Sequence, residues 1–184
     1  SERFSNHIEQ IVAQIYVQGK QETGVLFDAL GQKDFLNIPL NAIAHHHTYE
    51  GMQGKLVATS TEHFSEILTQ FSDQSSNVSL EPHLLKGEHT NTGIIYGDRL
   101  ICKIFRKVEA GINPDLEIGR FLTATSVKKG IPQLDHLAPV AGALEYHCKG
   151  SAPMTIGILR KYIPEIRDAW SYTLDSLRDF FELV

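Results

Sequence analysis

The spacing of apolar residues changes several times along the chain, and each change marks a different kind of element. Ile8, Ile11, Val12 and Ile15 recur at near-helical intervals, so Phe4 to Ala13 reads as a short helix or as the lead-in to a strand. From Ile15 to Ala58 the period shortens, and Gly19, Gly24, Gly31, Gly51 and Gly54 interrupt it. Glycines at such intervals predict a meander of short strands. Helical spacing returns with Phe64, Ile67, Leu68 and Phe71, preceded by Thr61 as a candidate cap. Gln70 to Val78 is the most polar and least patterned stretch, and a domain boundary is placed there, dividing 1–76 from 77–184.

Beyond the boundary the pattern is clearer. Ser79 to Lys86, Gly93 to Tyr96 and Leu100 to Phe105 predict three strands, the last two joined by a tight turn at Gly97-Asp98. Asn113-Pro114-Asp115 is a strong helix start, with a capping side chain, a proline at the first helical position and an acid in the first turn. Leu116, Phe121 and Leu122 supply its apolar stripe, and Gly130-Ile131-Pro132 ends it. Two more strands follow, near Ala138–Tyr146 and Met154–Tyr162, joined by Lys149-Gly150-Ser151. Thr173 to Val184 then begins an amphipathic helix with Leu174, Leu177, Phe180 and Phe181 on one side. The fold class expected is α+β: antiparallel strands with a helix in 1–76, then a five-stranded antiparallel sheet with one helix.

Composition narrows the functional classes. Seventeen basic against twenty-two acidic residues leave a net charge of −5, which argues against a dedicated nucleic-acid or anionic-membrane binder. Cys102 and Cys148 form no C-x-x-C pair, so neither a disulfide framework nor a zinc site is expected. No signal peptide opens the chain and no apolar run nears the ~18 residues that span a bilayer, so the default location is cytoplasmic.

Three features can carry chemistry. Leu100-Ile-Cys-Lys-Ile-Phe105 is a strand apolar on both faces with one lysine at its centre. Alternation sets Lys103 beside Ile101 and Phe105, where an ammonium is costly unless an anion meets it; an edge-strand lysine snorkelling to water is the other reading. Glu117, early in the following helix, is the natural partner, although alone it would read as a surface pair with Arg120. The glycine-bounded turn Gly87-Glu-His-Thr-Asn-Thr-Gly93 can offer backbone N–H groups and hydroxyls to phosphates, but it lacks the G-K-[ST] of a P-loop. Strand, polar turn, strand, hairpin, strand with an internal lysine, then a helix with a glutamate is the layout of a protein-kinase-like N-lobe.

The run Lys103-Ile-Phe-Arg-Lys-Val-Glu-Ala-Gly-Ile-Asn-Pro-Asp-Leu-Glu-Ile-Gly-Arg-Phe-Leu122 resembles the maltokinase pattern K-x-F-R-[RK]-x-E-x-G-x-N-P-[DE]-x-E-[IV]-x-R-F-L. Tyr162-Ile-Pro and Asp168-Ala-Trp-Ser-Tyr-Thr-Leu-Asp175 are similar to that family's hinge and following helix. The likeness is specific from about residue 79 onwards. It implies an enzyme that uses ATP and Mg²⁺ to phosphorylate maltose, giving maltose 1-phosphate, and that is often fused to trehalose synthase. It also implies that 1–76 is a small cap domain. Lys103 would contact ATP phosphates, Glu117 would hold Lys103, and Thr90, Asn91, Thr92 and Gly93 would line the phosphate turn. Leu159, Arg160, Lys161 and Tyr162 would form the hinge that meets adenine through backbone groups. The family's catalytic H-x-D loop and metal-binding acids have no counterpart here, since neither His136 nor His147 is followed by the required residues. On the resemblance, the chain is an N-terminal fragment, inactive by itself. The competing expectation is a non-catalytic kinase-like domain that docks a trehalose synthase or amylase-type partner.

Two further features read as structural. Three successive side chains cannot face one ion from a strand, so His45-His46-His47 is assigned no metal. Trp170 is expected to pack a lobe junction.

Overall fold

The alternating segments form two antiparallel sheets. The computed structural model describes residues 11–69, 80–85, 91–129, 137–164 and 169–182. Strands β1 (Ile11–Val17) and β2 (Glu22–Phe27) make a two-stranded ribbon, followed by a single 3₁₀ turn at Ala29–Gly31. Next come α1 (Lys33–Ala44), β3 (Thr48–Glu50), β4 (Gly54–Ser60) and α2 (Glu62–Thr69). Then follow β5 (Pro82–Leu84), β6 (Asn91–Tyr96), β7 (Leu100–Phe105), α3 (Pro114–Lys129), β8 (Val140–Cys148), β9 (Met154–Lys161) and α4 (Ala169–Glu182). The chain is thus α+β, as expected.

The five strands expected after residue 77 are present as β5 to β9, but the sheet does not end with them. Its order is β3-β4-β8-β9-β7-β6-β5, seven strands, all antiparallel. Gly54 to Ser60 of β4 pairs residue for residue with Gly142 to Cys148 of β8. The boundary placed at 76/77 lies outside the described residues, yet strands from both sides of it share one hydrogen-bonded sheet.

The expected meander over residues 15–58 is also corrected, because α1 interrupts it. Leu36, Pro39, Leu40 and Ile43 are buried at helical spacing. Pro39 sits inside the helix, where it removes one backbone donor, and burial of that face outweighs the loss. The helix ends on the histidine triplet. His46 takes a left-handed φ of +52°, the His46 amide donates to the Ile43 carbonyl, and the His47 amide donates to the Ala42 carbonyl at 2.9 Å. That is a Schellman-type stop with histidine where glycine is usual.

Each face of the large sheet carries its own core. On one face Leu36, Leu40 and Ile43 of α1 and Phe64 and Ile67 of α2 pack on Ile94, Tyr96, Leu100, Cys102, Ala141, Leu144 and Leu159. The fully buried Tyr96 hydroxyl donates to the Leu36 carbonyl at 2.8 Å, pinning α1 to β6, and burial pushes the phenol's pKa far up. The opposite face holds a smaller cluster of Leu116, Val140, Ala143 and Ile158, flanked by Phe105.

Helix α3 covers that smaller face differently from the sequence expectation. Phe121 is 66% exposed and Ile118 is exposed as well. The sheet-facing positions are Leu116, Gly119 and Thr123, with Arg120 at their edge. A Cβ on Gly119 would stand 2.7 Å from Val140 Cγ2, so helix and sheet meet closely there. Thr123 accepts from the Val140 amide at 3.2 Å. Among the described residues no helix is long and apolar enough to cross a membrane.

Candidate functional site

Lys103 stands on β7, opposite Gly93 of β6 and Ile158 of β9. Alternation places it on the α3 face with Phe105, and its Nζ lies 5.3 Å from the Phe105 ring centroid, a cation–π contact. Its side chain is 36% exposed, so the ammonium is partly desolvated and needs a counter-charge. The structure supplies one, but not from Glu117. Lys103 Nζ donates to Asp115 Oδ2 at 3.0 Å.

Helix geometry explains the substitution. Successive residues turn by about 100° around an α-helix. With Leu116 buried against the sheet, Asp115 and Glu117 fall on opposite flanks. Asp115 lies on the flank over β7 and β9. Glu117 lies on the other, lining a cavity of about 260 Å³ with Arg120, Glu145 and Thr155. Nor does Glu117 pair with Arg120, whose guanidinium donates to Glu145 at 3.1 Å and to Thr59 Oγ1 at 3.4 Å. The expected Lys103–Glu117 contact is therefore corrected to Lys103–Asp115. Proline at the first position and an acid at the second is the signal that points to Asp115.

The start of α3 is fixed by local chemistry. The Asp115 amide donates to Asn113 Oδ1 at 2.9 Å, so Asn113 caps the helix as expected. The hydrogen bond from Lys103 holds the Asp115 carboxyl below the usual carboxylate range; partial burial opposes this, and the charges of Lys103 and Arg160 add to it.

The other expected site residues divide between the two faces. Gly93 lies directly across from Lys103, and Asn91, across from Phe105, has the same parity. Thr92 has the opposite parity, is buried, and its hydroxyl accepts from Arg106 Nε at 3.0 Å. It therefore does not join Lys103. Thr90 lies outside the described residues, as do Gly87, Glu88 and His89.

At the hinge, Leu159 is fully buried in the larger core. The Lys161 amide donates to the Pro139 carbonyl at 3.1 Å and the Tyr162 amide to the Arg99 carbonyl at 2.6 Å. Two backbone donors expected to meet adenine are thus engaged inside the protein. Arg160 contributes by its side chain: its guanidinium donates to the Asp115 carbonyl oxygen at 2.6 Å and lies 3.9 Å from Asp115 Oδ1. Strand parity carried that signal, since Arg160 shares the face of Ile158.

Trp170 is 71% exposed on α4 and packs no junction among the described residues. The histidine triplet lies at the end of α1 rather than on a strand, and the His45 and His47 rings stack with their centroids 5.5 Å apart, while His46 is held elsewhere. His45 Nδ1 bonds the Asn41 carbonyl, His46 Nε2 bonds Ser60 Oγ, and His47 Nδ1 bonds the Tyr49 hydroxyl. Among the described residues no group of three or more His, Cys, Asp or Glu is placed to hold a metal ion.

The assembled site can hold an anion. An ammonium with one of its three donors spent on Asp115 keeps two for a phosphate oxygen, and the Arg160 guanidinium adds positive field beside it. No family model matches the chain.

Proposed function

We propose that this chain is the nucleotide-binding part of an ATP- and Mg²⁺-dependent maltokinase, a cytoplasmic enzyme that forms maltose 1-phosphate. The observation that carries the reading is the Lys103–Asp115 pair: a central-strand lysine, half-buried, held at 3.0 Å by an acid in the first turn of the next helix. Protein kinases hold the lysine that contacts the nucleotide's α- and β-phosphates by a helix carboxylate in this way. In this reading Asp115 takes the role that the resemblance gave to Glu117. The described residues suit the phosphate part of ATP and provide no metal-ligand set. Mg²⁺, the H-x-D loop and most of the sugar pocket then belong to residues outside this chain. A trehalose synthase domain or subunit remains the partner that the resemblance implies.

Two observations favour the second reading, a kinase-like docking domain: the Lys161 and Tyr162 amides are already satisfied, and Glu117 is turned away from Lys103. Product analysis separates the two. A longer polypeptide containing this chain, given ATP, Mg²⁺ and maltose, is expected to show an anomeric sugar phosphate by ³¹P NMR. No phosphorylated sugar with maltose or related glucosides would overturn the kinase reading.

A further inference from the structure

Lys103 and Arg160 rise from neighbouring strands on the same face, Lys103 across from Ile158 and Arg160 across from Ile101. Both converge on one residue. Lys103 takes Asp115 Oδ2 at 3.0 Å, while Arg160 takes the Asp115 carbonyl at 2.6 Å and approaches Oδ1 at 3.9 Å. The guanidinium reaches that carbonyl beneath α3 because residue 119 is glycine. A Cβ there would stand 2.9 Å from Arg160 Nη2 as well as 2.7 Å from Val140 Cγ2. The missing side chain and the arginine thus fit each other, an arrangement that neither the helix start nor the Lys103 pair requires alone.

We infer that Arg160 is a positioning residue: by clamping Asp115 to β9 through the gap at Gly119, it sets where the start of α3 sits and so aims the Lys103 ammonium. Its part is played by the guanidinium, not by a hinge backbone group. Both contacts are made by Nη2, and arginine suits this because its planar, delocalised guanidinium spreads positive charge alongside the carboxylate while that nitrogen serves the carbonyl, whereas a lysine offers a single point of charge. The inference rests on the nucleotide reading only for what Lys103 is aimed at; the clamp itself belongs to the ligand-free chain.

The test reads Lys103 directly. In the ¹³C,¹⁵N-labelled 184-residue chain, the Lys103 Nζ–Cε resonance is assigned by its disappearance in Lys103→Arg. It is expected to stand apart from those of exposed lysines such as Lys20 and Lys149. Arg160→Met should collapse that offset, and Arg160→Lys should restore part of it. Gly119→Ala should shift it too, by displacing the guanidinium. An unchanged Lys103 resonance in folded Arg160→Met would overturn the clamp, since a merely structural arginine would lower the melting temperature without re-aiming Lys103. If Arg160→Met does not fold, Gly119→Ala and Arg160→Lys decide by the same criterion. A separate ATP·Mg titration of the wild-type chain bears on the nucleotide reading alone, because the clamp is read without ligand.

Discussion

Gly142→Ala tests the join between the N-terminal strands and the rest of the sheet. Gly142 lies in β8, facing Ser60 of β4 on one side and Leu159 of β9 on the other. An added Cβ would collide with Ile43 Cγ2 of α1 and come within 2.6 Å of the Thr59 carbonyl oxygen. The first obstacle can rotate or shift, but the second is backbone within the β4–β8 ladder and cannot. Overpacking of this kind costs about 1–3 kcal/mol, and a rigid obstacle puts the value in the upper half of that range. Replacing glycine also restricts the unfolded chain, which returns about 0.4–1 kcal/mol, so the net loss is roughly 1–2.5 kcal/mol. For a chain of this length that lowers the melting temperature by roughly 2–10 °C, measurable by circular dichroism. Combined with Ile43→Ala, the loss should fall short of the sum of the two single losses by about 1 kcal/mol, because removing Ile43 clears part of the collision. An unchanged melting temperature in Gly142→Ala, or strict additivity in the double variant, would refute the packing of α1 over the β4–β8 junction.

Two further outcomes follow from titrating groups. Cys102 is fully buried and burial pushes its thiol up to about 12, whereas Cys148 is half-buried. A thiol reagent at pH 8 should modify Cys148 first and reach Cys102 only as the chain unfolds; equal rates would contradict its placement. The stability that goes with the neutral Cys102 thiol is fully present below its ordinary value near 8.5 and lost as pH rises towards about 12. Asp115 has the opposite sign: its depressed carboxyl stabilises the fold above the usual carboxylate range, and that contribution is lost as pH falls through the depressed value. The carboxylate is half-exposed, so Asp115→Asn should cost no more than about 1 kcal/mol at pH 7. The difference from wild type should close on acidification; a difference that widens would refute the assigned pairing.

What the sequence made legible was written in local chemistry. The β6–β7 hairpin was readable because Gly97 provides the φ of +54° that its turn needs, and the α3 start because Asn113 caps it two residues on. Helix α1 is masked in the sequence by Gly31 and Gly51 on either side, which punctuate the segment as strand boundaries do, and by Pro39 at its middle. Its own signal, Leu36, Pro39, Leu40 and Ile43, lay at helical spacing throughout. The pairing of β4 with β8 joins residues more than 80 positions apart and leaves no local mark. In α3 the apolar side chains do not mark the buried face. Phe121 faces outward while Gly119 and Thr123 meet the sheet, because a close helix–sheet approach favours small residues. That orientation decides whether Asp115 or Glu117 meets Lys103, so the sequence shows that the lysine and the α3 start lie close in the chain order but not which acid the lysine meets.

The central claim is that the Lys103 ammonium, held by Asp115, contacts the phosphates of ATP. It is tested most directly by the turnover of Lys103→Ala in a longer polypeptide that makes maltose 1-phosphate. Removing a preorganised charge from a phosphoryl-transfer site is expected to lower kcat by about 10²–10³-fold while the variant keeps the wild-type circular dichroism spectrum. A folded Lys103→Ala enzyme with wild-type kcat would contradict the account.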